Sequence, residues 1–285
     1  MTARSKPRRP GCRAVISGHD GPSTGSTVPD RSLHDESPSF QTDLRELNMS
    51  YTNVADKRAA ITGAVRNGVE KALQIQQPIV DAHVARIRRS RPDAPPAEVI
   101  TSLEKQFLAS VTAIGAASGG TAAAPGVGTA VAFGLTAFEI GGVVEATALF
   151  ALAVAEVHGV RVTDLERRRT LVTAILFGES AASFVEKAVG RTGKYWGNSL
   201  VKAIPMTVIN KVNKTLGPRF VTKWGTRQGV LVLGREVPFG IGAGIGAAGN
   251  FLIGQGSVRA ARRAFGPAPA TWPELPRAIG DHAPV

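Results

Sequence analysis

Two long stretches without a single charged residue decide what this chain can become. The first runs from Gln106 to Phe138 and contains FLASVTAIGAASGGTAAAPGVGTAVAF; the second, VPFGIGAGIGAAGNFLIGQGSV, runs from Val237 to Val258. Each is as long as the roughly 20 residues that cross a bilayer as a helix, yet both are built from Gly and Ala more than from Leu and Ile. Small residues recur in them at helical spacing: Gly115, Gly119 and Ala123, with Gly120, Ala124, Gly128 and Ala132, in the first run. The second carries the rows Gly240, Gly244, Ala248 and Gly242, Gly246, Asn250, Gly254. Rows of this kind let helix backbones approach closely. Aromatic residues are 6% of the chain, and the Val, Ile, Tyr and Thr alternation of a sandwich is missing. The expectation is an all-α fold, a helical bundle with Gly/Ala-rich hairpin segments.

Periodicity fills in the rest of the bundle. Residues 1–52, rich in Pro, Ser, Gly and charge, show no sustained hydrophobic period and read as a disordered N-terminal extension. The apolar run behind the basic start is only Ala14-Val15-Ile16, too short for a secretion signal. Periodic structure begins just after Met49, which raises the expectation that translation starts there. From Val54 the stripe Ile61, Val65, Val69, Leu73 predicts a first helix closed by Pro78. A second carries Ile79, Val80, Val84 and Ile87, and a third starts near Pro95 or Pro96 and continues through Val99, Ile100, Leu103 and Phe107. A hairpin turn is expected near Ala124, Pro125 and Gly126, followed by a helix to about His158 carrying Glu139, Glu145 and Glu156. The last two are eleven residues apart and so share a face. Asp164 is placed to cap a helix with the apolar face Leu165, Leu171, Val172, Ile175, Leu176, and another helix covers Ala181 to Ala188. Ser199 caps SLVKAIPMTVINKVNKTLG, whose stripe is Ile204, Val208, Val212, Leu216. The final uncharged run reads as one helix or a hairpin. The helical domain therefore covers residues 53–266, and residues 267–285 read as a Pro-rich loose tail.

Charge points to an anionic partner. The net charge is +12, and residues 1–55 account for only +1 of it. Ten basic residues and no acidic one lie between Lys187 and Arg235, where phosphate backbone and acidic lipid headgroups are the two natural counterparts. Trp and Tyr beside an apolar stripe favour lipid, and a nucleic-acid module has no need of two uncharged Gly/Ala runs. The expected membrane contacts are Lys194, Trp196, Lys202, Lys211, Lys214, Arg219, Lys223 and Trp224. The expected packing residues are Gly240, Gly242, Gly244, Gly246 and Asn250.

Residues 100–267 resemble the EcsC family of helical bacterial proteins often found with membrane components. The resemblance rests on the order of GAASGGTAAAPGVGT, Glu139, His158-Gly159, Asp164, Glu166-Arg167, the basic KAIP segment and PFGIGAGIGAAGN. Glu139 stands where the family has Asp, and His158 where it has Tyr. The resemblance implies a fold and a setting at the bacterial membrane or its cytoplasmic face, and no reaction.

No catalytic constellation stands out. Gly244-Ile-Gly246-Ala-Ala-Gly249 spells G-x-G-x-x-G, but a dinucleotide site needs a strand before it and an acidic residue about 20 positions on. Ala188 to Tyr195 nearly spells a phosphate-binding loop, with Ala188 in place of the first Gly and Tyr195 in place of the Ser/Thr. Cys12 is the single cysteine, and the five histidines have no paired ligand spacing. The expectation is a non-enzymatic protein without cofactor or metal, whose uncharged segments Gln106 to Phe138 and Val237 to Val258 insert into or lie in the bilayer while the basic residues contact acidic headgroups, with a protein partner as a further expectation. The alternative is a soluble helical domain whose basic face binds a protein or nucleic acid; an enzyme using Glu139, Glu145 and Glu156 ranks last.

Overall fold

The computed structural model describes residue 59 and residues 62–75, 77–122, 129–190, 195–201, 203–218 and 241–273. Among them 82% are helical and none is in a strand. The expected N-terminal extension, residues 1–52, lies outside the described residues.

Nine helices follow in order among the described residues: α1 (residues 62–72), α2 (Gln77–Ser90), α3 (Pro96–Ala122), α4 (Thr129–Val157), α5 (Leu165–Leu176), α6 (Glu179–Val189), the single turn α7 (Trp196–Ser199), α8 (residues 206–218) and α9 (Ile241–Phe265). Val65 and Val69 of α1, and Leu73 just past its last turn, are buried, as the four-residue stripe predicts; Ile61 lies outside the described residues. Pro78 sits in the first turn of α2, where its missing N–H costs no helical bond. Ile79, expected on the apolar face, is 54% exposed; Val80, Val84 and Ile87 form that face. Pro96 opens α3 for the same reason that Pro78 suits α2.

The centre of the bundle is α4. Of the described helices it alone is long and apolar enough, over Ala137–Val157, to cross a membrane, and 72% of that window is buried by the rest of the chain. Every residue from Ala151 to Val157 is buried, because α2, α3, α5 and α9 all pack against this helix. A helix apolar on all sides belongs inside such a ring or inside lipid. Glu145 and Glu156 part company here. Glu145 is exposed and meets Lys71 at 3.7 Å, whereas Glu156 is buried, because the last turns of α4 are enclosed and the middle is not.

Asp164 caps α5, its Oδ1 accepting from the backbone N–H of Arg167 at 2.9 Å. Leu165 is exposed, so the apolar face of α5 begins only at Leu171. Buried inside that helix is Arg168, whose guanidinium donates to the carbonyls of Val162, Leu73 and Ile75 at 3.1, 3.1 and 2.6 Å. Loss of water around the guanidinium lowers its pKa. It satisfies carbonyls at the end of α1 and in the loop before α5, so one side chain ties three segments together.

Two segments differ from expectation. Ser199 does not begin a helix; it closes α7, where the N–H groups of Ala203 and Ile204 reach back to its carbonyl, and Pro205 starts α8 afresh. A proline inside a helix would remove a bond and clash with the preceding turn, so the expected helix is split. Residues 267–273 are not loose. Trp272 donates from Nε1 to the Ala94 carbonyl at 3.3 Å, and the Arg88 guanidinium lies 4.0 Å over its ring. Trp272 thus packs beside the turn between α2 and α3; residues 274–285 lie outside the described residues.

Replacing Arg168 with Met keeps the bulk and removes every donor. Leaving those carbonyls buried and unpaired is expected to lower unfolding stability by about 2–4 kcal/mol, read as a lower urea midpoint with unchanged slope.

Candidate functional site

The closest contact in the bundle runs along α3 and α9. Glu104 meets Arg262, Val111 and Leu108 meet Gly254, Gly115 meets Gly246 and Asn250, and Gly119 meets Gly242. Rising numbers on α3 pair with falling numbers on α9, so the helices are antiparallel over roughly 22 Å at 1.5 Å per residue. A Cβ at Gly119 would press into the Gly242 carbonyl oxygen, and one at Gly115 into that of Gly246 and within 2.7 Å of Asn250 Nδ2. Both helices carry glycines four residues apart, GAASG on α3 and GAGIG on α9, and these rows face each other across the seam. Gly242, Gly246 and Asn250 are therefore seam residues. Gly244 is not: it is exposed, and a Cβ there would meet nothing within 4 Å. Two residues from Gly242 and Gly246, it is turned about 200° away by the 3.6-residue period. Gly240 lies outside the described residues.

Beside the glycines sits a polar knot that brings in α4. Buried Glu139 accepts from Ser118 Oγ of α3 at 2.7 Å and from Asn250 Nδ2 of α9 at 2.9 Å. The other amide atom of Asn250, Oδ1, is buried without a hydrogen-bond partner. At the far end Arg262 forks onto Glu104, Nε to Oε1 at 2.7 Å and Nη2 to Oε2 at 2.6 Å. Hydrogen bonding to that carboxylate raises the Arg262 pKa. Sequence reasoning did not find this pair; 158 positions separate its members, and no local pattern links them.

The outer side of the seam is uncharged. Ala109, Ser110, Ala113, Ala117 and Gly120 of α3 and Gly244, Ala248, Phe251 and Leu252 of α9 are exposed, Leu252 at 67%. No charged residue occurs from Gln106 to Ala122 on α3 or from Ile241 to Val258 on α9. Basic groups edge this face at Lys105, Arg259, Arg262 and Arg263. The arginines pair with Glu179, Glu104 and Glu186.

The residues expected at a membrane divide three ways. Lys211 and Lys214 are exposed on α8. Lys194, Lys202, Arg219, Lys223 and Trp224 lie outside the described residues. Trp196 is a correction: it is fully buried, one of the largest enclosed side chains, and cannot touch lipid. The glycine after it lets Phe265 come close, since a Cβ at Gly197 would stand 2.8 Å from that ring.

Other polar groups serve structure. Gln77 donates to Glu156 at 2.9 Å, and Arg161 bridges Glu156 and Asp81 at 3.0 and 3.4 Å. Glu139 and Glu156 are roughly 25 Å apart along α4, too far to share acid and base roles. Among the described residues no group of three or more His, Cys, Asp or Glu is gathered for a metal. Gly244 to Gly249 lie within one continuous helix, so the strand-turn-helix setting that a G-x-G-x-x-G phosphate turn needs is missing there. No known protein family, curated protein or solved structure matches this chain.

His158 stacks on Phe265 at 5.1 Å, and burial lowers its pKa from 6.5 to about 4. The unfolded chain therefore takes up a proton through this window that the folded chain refuses. The stability contributed is complete above 6.5 and is lost as pH falls toward about 4. Melting temperature should fall across that range, and less steeply in His158→Phe. The same Gly-to-Ala change should act with opposite signs at two places on the seam helices. Gly119→Ala loses about 1–3 kcal/mol by forcing backbones apart, while Gly244→Ala gains about 0.5–1 kcal/mol by stiffening an open helical position. Thermal melts followed by circular dichroism read both.

Proposed function

We propose that this chain is a non-enzymatic, EcsC-like helical protein that lies on the surface of an anionic membrane through the outer face of the α3–α9 seam. The carrying observation is that face: exposed, uncharged along its length, with Phe251 and Leu252 raised from it. Apolar side chains set in a polar surround gain from the interfacial layer of a bilayer, and positive charge nearby adds attraction to acidic headgroups. Lys105, Lys211 and Lys214 are exposed cations, in a chain that carries +11 beyond its first 55 residues. The Gly/Ala-rich runs that resemble the EcsC family are the same segments that build this face. Surface association also agrees with the state of α4, whose apolar surface is already covered by protein and whose Glu139 and Glu156 have internal partners. Turning it into lipid would expose both carboxylates to hydrocarbon.

The burial of α4 favours a second reading, a soluble helical protein that uses the same face for a protein partner. Flotation of the purified chain with vesicles separates the two. Vesicles containing phosphatidylglycerol are expected to carry the protein upward, vesicles of phosphatidylcholine alone much less, and Phe251→Asp with Leu252→Asp is expected to reduce flotation at least tenfold. Protein that stays at the bottom of the gradient with every vesicle composition would transfer the face to a soluble partner.

A further inference from the structure

Within that outer face lies a groove of about 520 Å³, lined by Lys105, Leu108, Ala109, Thr112, Ala113 and Ala116 of α3 and by Phe251 of α9. It exists because the seam is tight. Leu108 and Val111 close on Gly254, where a Cβ would stand 3.0 and 2.9 Å from them. That close approach sets the α9 backbone low against α3 and leaves Phe251 standing as a wall beside the alanines. Between Leu108 and Phe251 the lining is alanine and one threonine, and that hydroxyl is already engaged, Thr112 Oγ1 donating to the Leu108 carbonyl at 2.6 Å. The remaining polar group is Lys105, exposed at one end and without a carboxylate partner among the described residues. From Lys105 to Ala116 the groove side of α3 extends roughly 16 Å at 1.5 Å per residue.

We propose that this groove holds one acyl chain of an anionic phospholipid, with the phosphate at Lys105. The inference rests on the membrane-surface reading and sharpens it from an attraction of faces to a single-lipid site. The chemistry of the lining selects the occupant. A polar ligand laid along the groove would leave its donors and acceptors facing methyl groups, which costs free energy without return. An alkyl chain loses nothing there and removes Phe251, Ala113 and Ala116 from water. The terminal cation then prefers a lipid whose headgroup is negative, and the groove is open along its side, so a chain can enter sideways from the bilayer surface.

The test uses the full chain and a monoacyl lipid below its micelle concentration, so that no bilayer is present: sixteen-carbon lysophosphatidylglycerol, with lysophosphatidylcholine as the zwitterionic comparison. Native mass spectrometry gives stoichiometry and isothermal titration gives affinity. One lysophosphatidylglycerol per chain is expected, bound more tightly than lysophosphatidylcholine. Ala113→Trp and Ala109→Trp, both at exposed positions on α3, should each weaken binding of both lipids at least tenfold by filling the groove. Lys105→Glu should weaken the anionic lipid and bring its affinity to or below that of the zwitterionic one, whereas Arg66→Glu, at an exposed position on α1, should leave both unchanged. Absence of saturable one-to-one binding overturns the proposal. So does undiminished binding in two tryptophan variants that melt like the parent, or a parent dimer in sedimentation that those variants abolish, which would assign the groove to a second copy. Vesicle flotation run in parallel keeps the two readings apart. Lysolipid binding without flotation removes the membrane-surface reading alone, and flotation without lysolipid binding removes the groove.

Discussion

The arrangement of this protein depends on how near two helix backbones can come. Where Gly115 and Gly119 of α3 meet Gly246 and Gly242 of α9, no side chain stands between the backbones, and a single added carbon would overlap a carbonyl oxygen. Such proximity favours dispersion between main chains over the hydrophobic packing of large side chains. It also explains the composition. Glycine weakens a helix by about 1 kcal/mol relative to Ala, so long uncharged runs this rich in Gly are weak helices and marginal membrane spans by their own propensity. They become helices here because each supplies the flat surface that the other needs. The same contact fixes the outer face, because bringing α3 and α9 together turns a defined set of alanines, Phe251 and Leu252 outward.

A second consequence concerns α4. Hydropathy alone cannot distinguish a helix that crosses a bilayer from one that forms the axis of a bundle, since both are apolar on every side. The distinction lies in its acidic residues and their partners. Glu139 is held by Ser118 and Asn250, and Glu156 by Gln77 and Arg161, all supplied by the protein itself. Those donors come from α2, α3, α9 and the loop after α4, so the bundle around α4 is stapled by polar contacts as well as filled by apolar ones.

Much of this was legible in the amino-acid sequence, for reasons that are local. Four-residue stripes placed α1 and α2, Pro95 or Pro96 marked the start of α3, Asp164 announced α5, and the glycine rows pointed to close packing, while Pro78, expected to close α1, sits in the first turn of α2 instead. What escaped was whatever depends on distant chain. Gly244 and Gly246 look alike in sequence, and only the direction of the helix separates an exposed glycine from one pressed against a neighbour. Trp196 reads as an interfacial aromatic beside lysines, yet it is fully enclosed, and Phe265, nearly seventy residues later, packs on the glycine that follows it. Trp272 reads as part of a Pro-rich loose tail until the Ala94 carbonyl and Arg88 are brought beside it. The Glu104 and Arg262 pair has no local signature on either side.

That pair gives the seam a property of its own. The glycines fit only when their rows are opposed, the Asn250 amide reaches Glu139 at one height, and the Arg262 fork meets Glu104 at another. These three stops are spaced along one line like the marks of a vernier. A shift of α9 by one helical turn, about 5.4 Å, would drive a bulkier residue into the glycine gap and break both polar contacts together. Sliding is therefore closed to these helices, and a change of shape at this seam can proceed only by their coming apart sideways, as the two edges of a zip do.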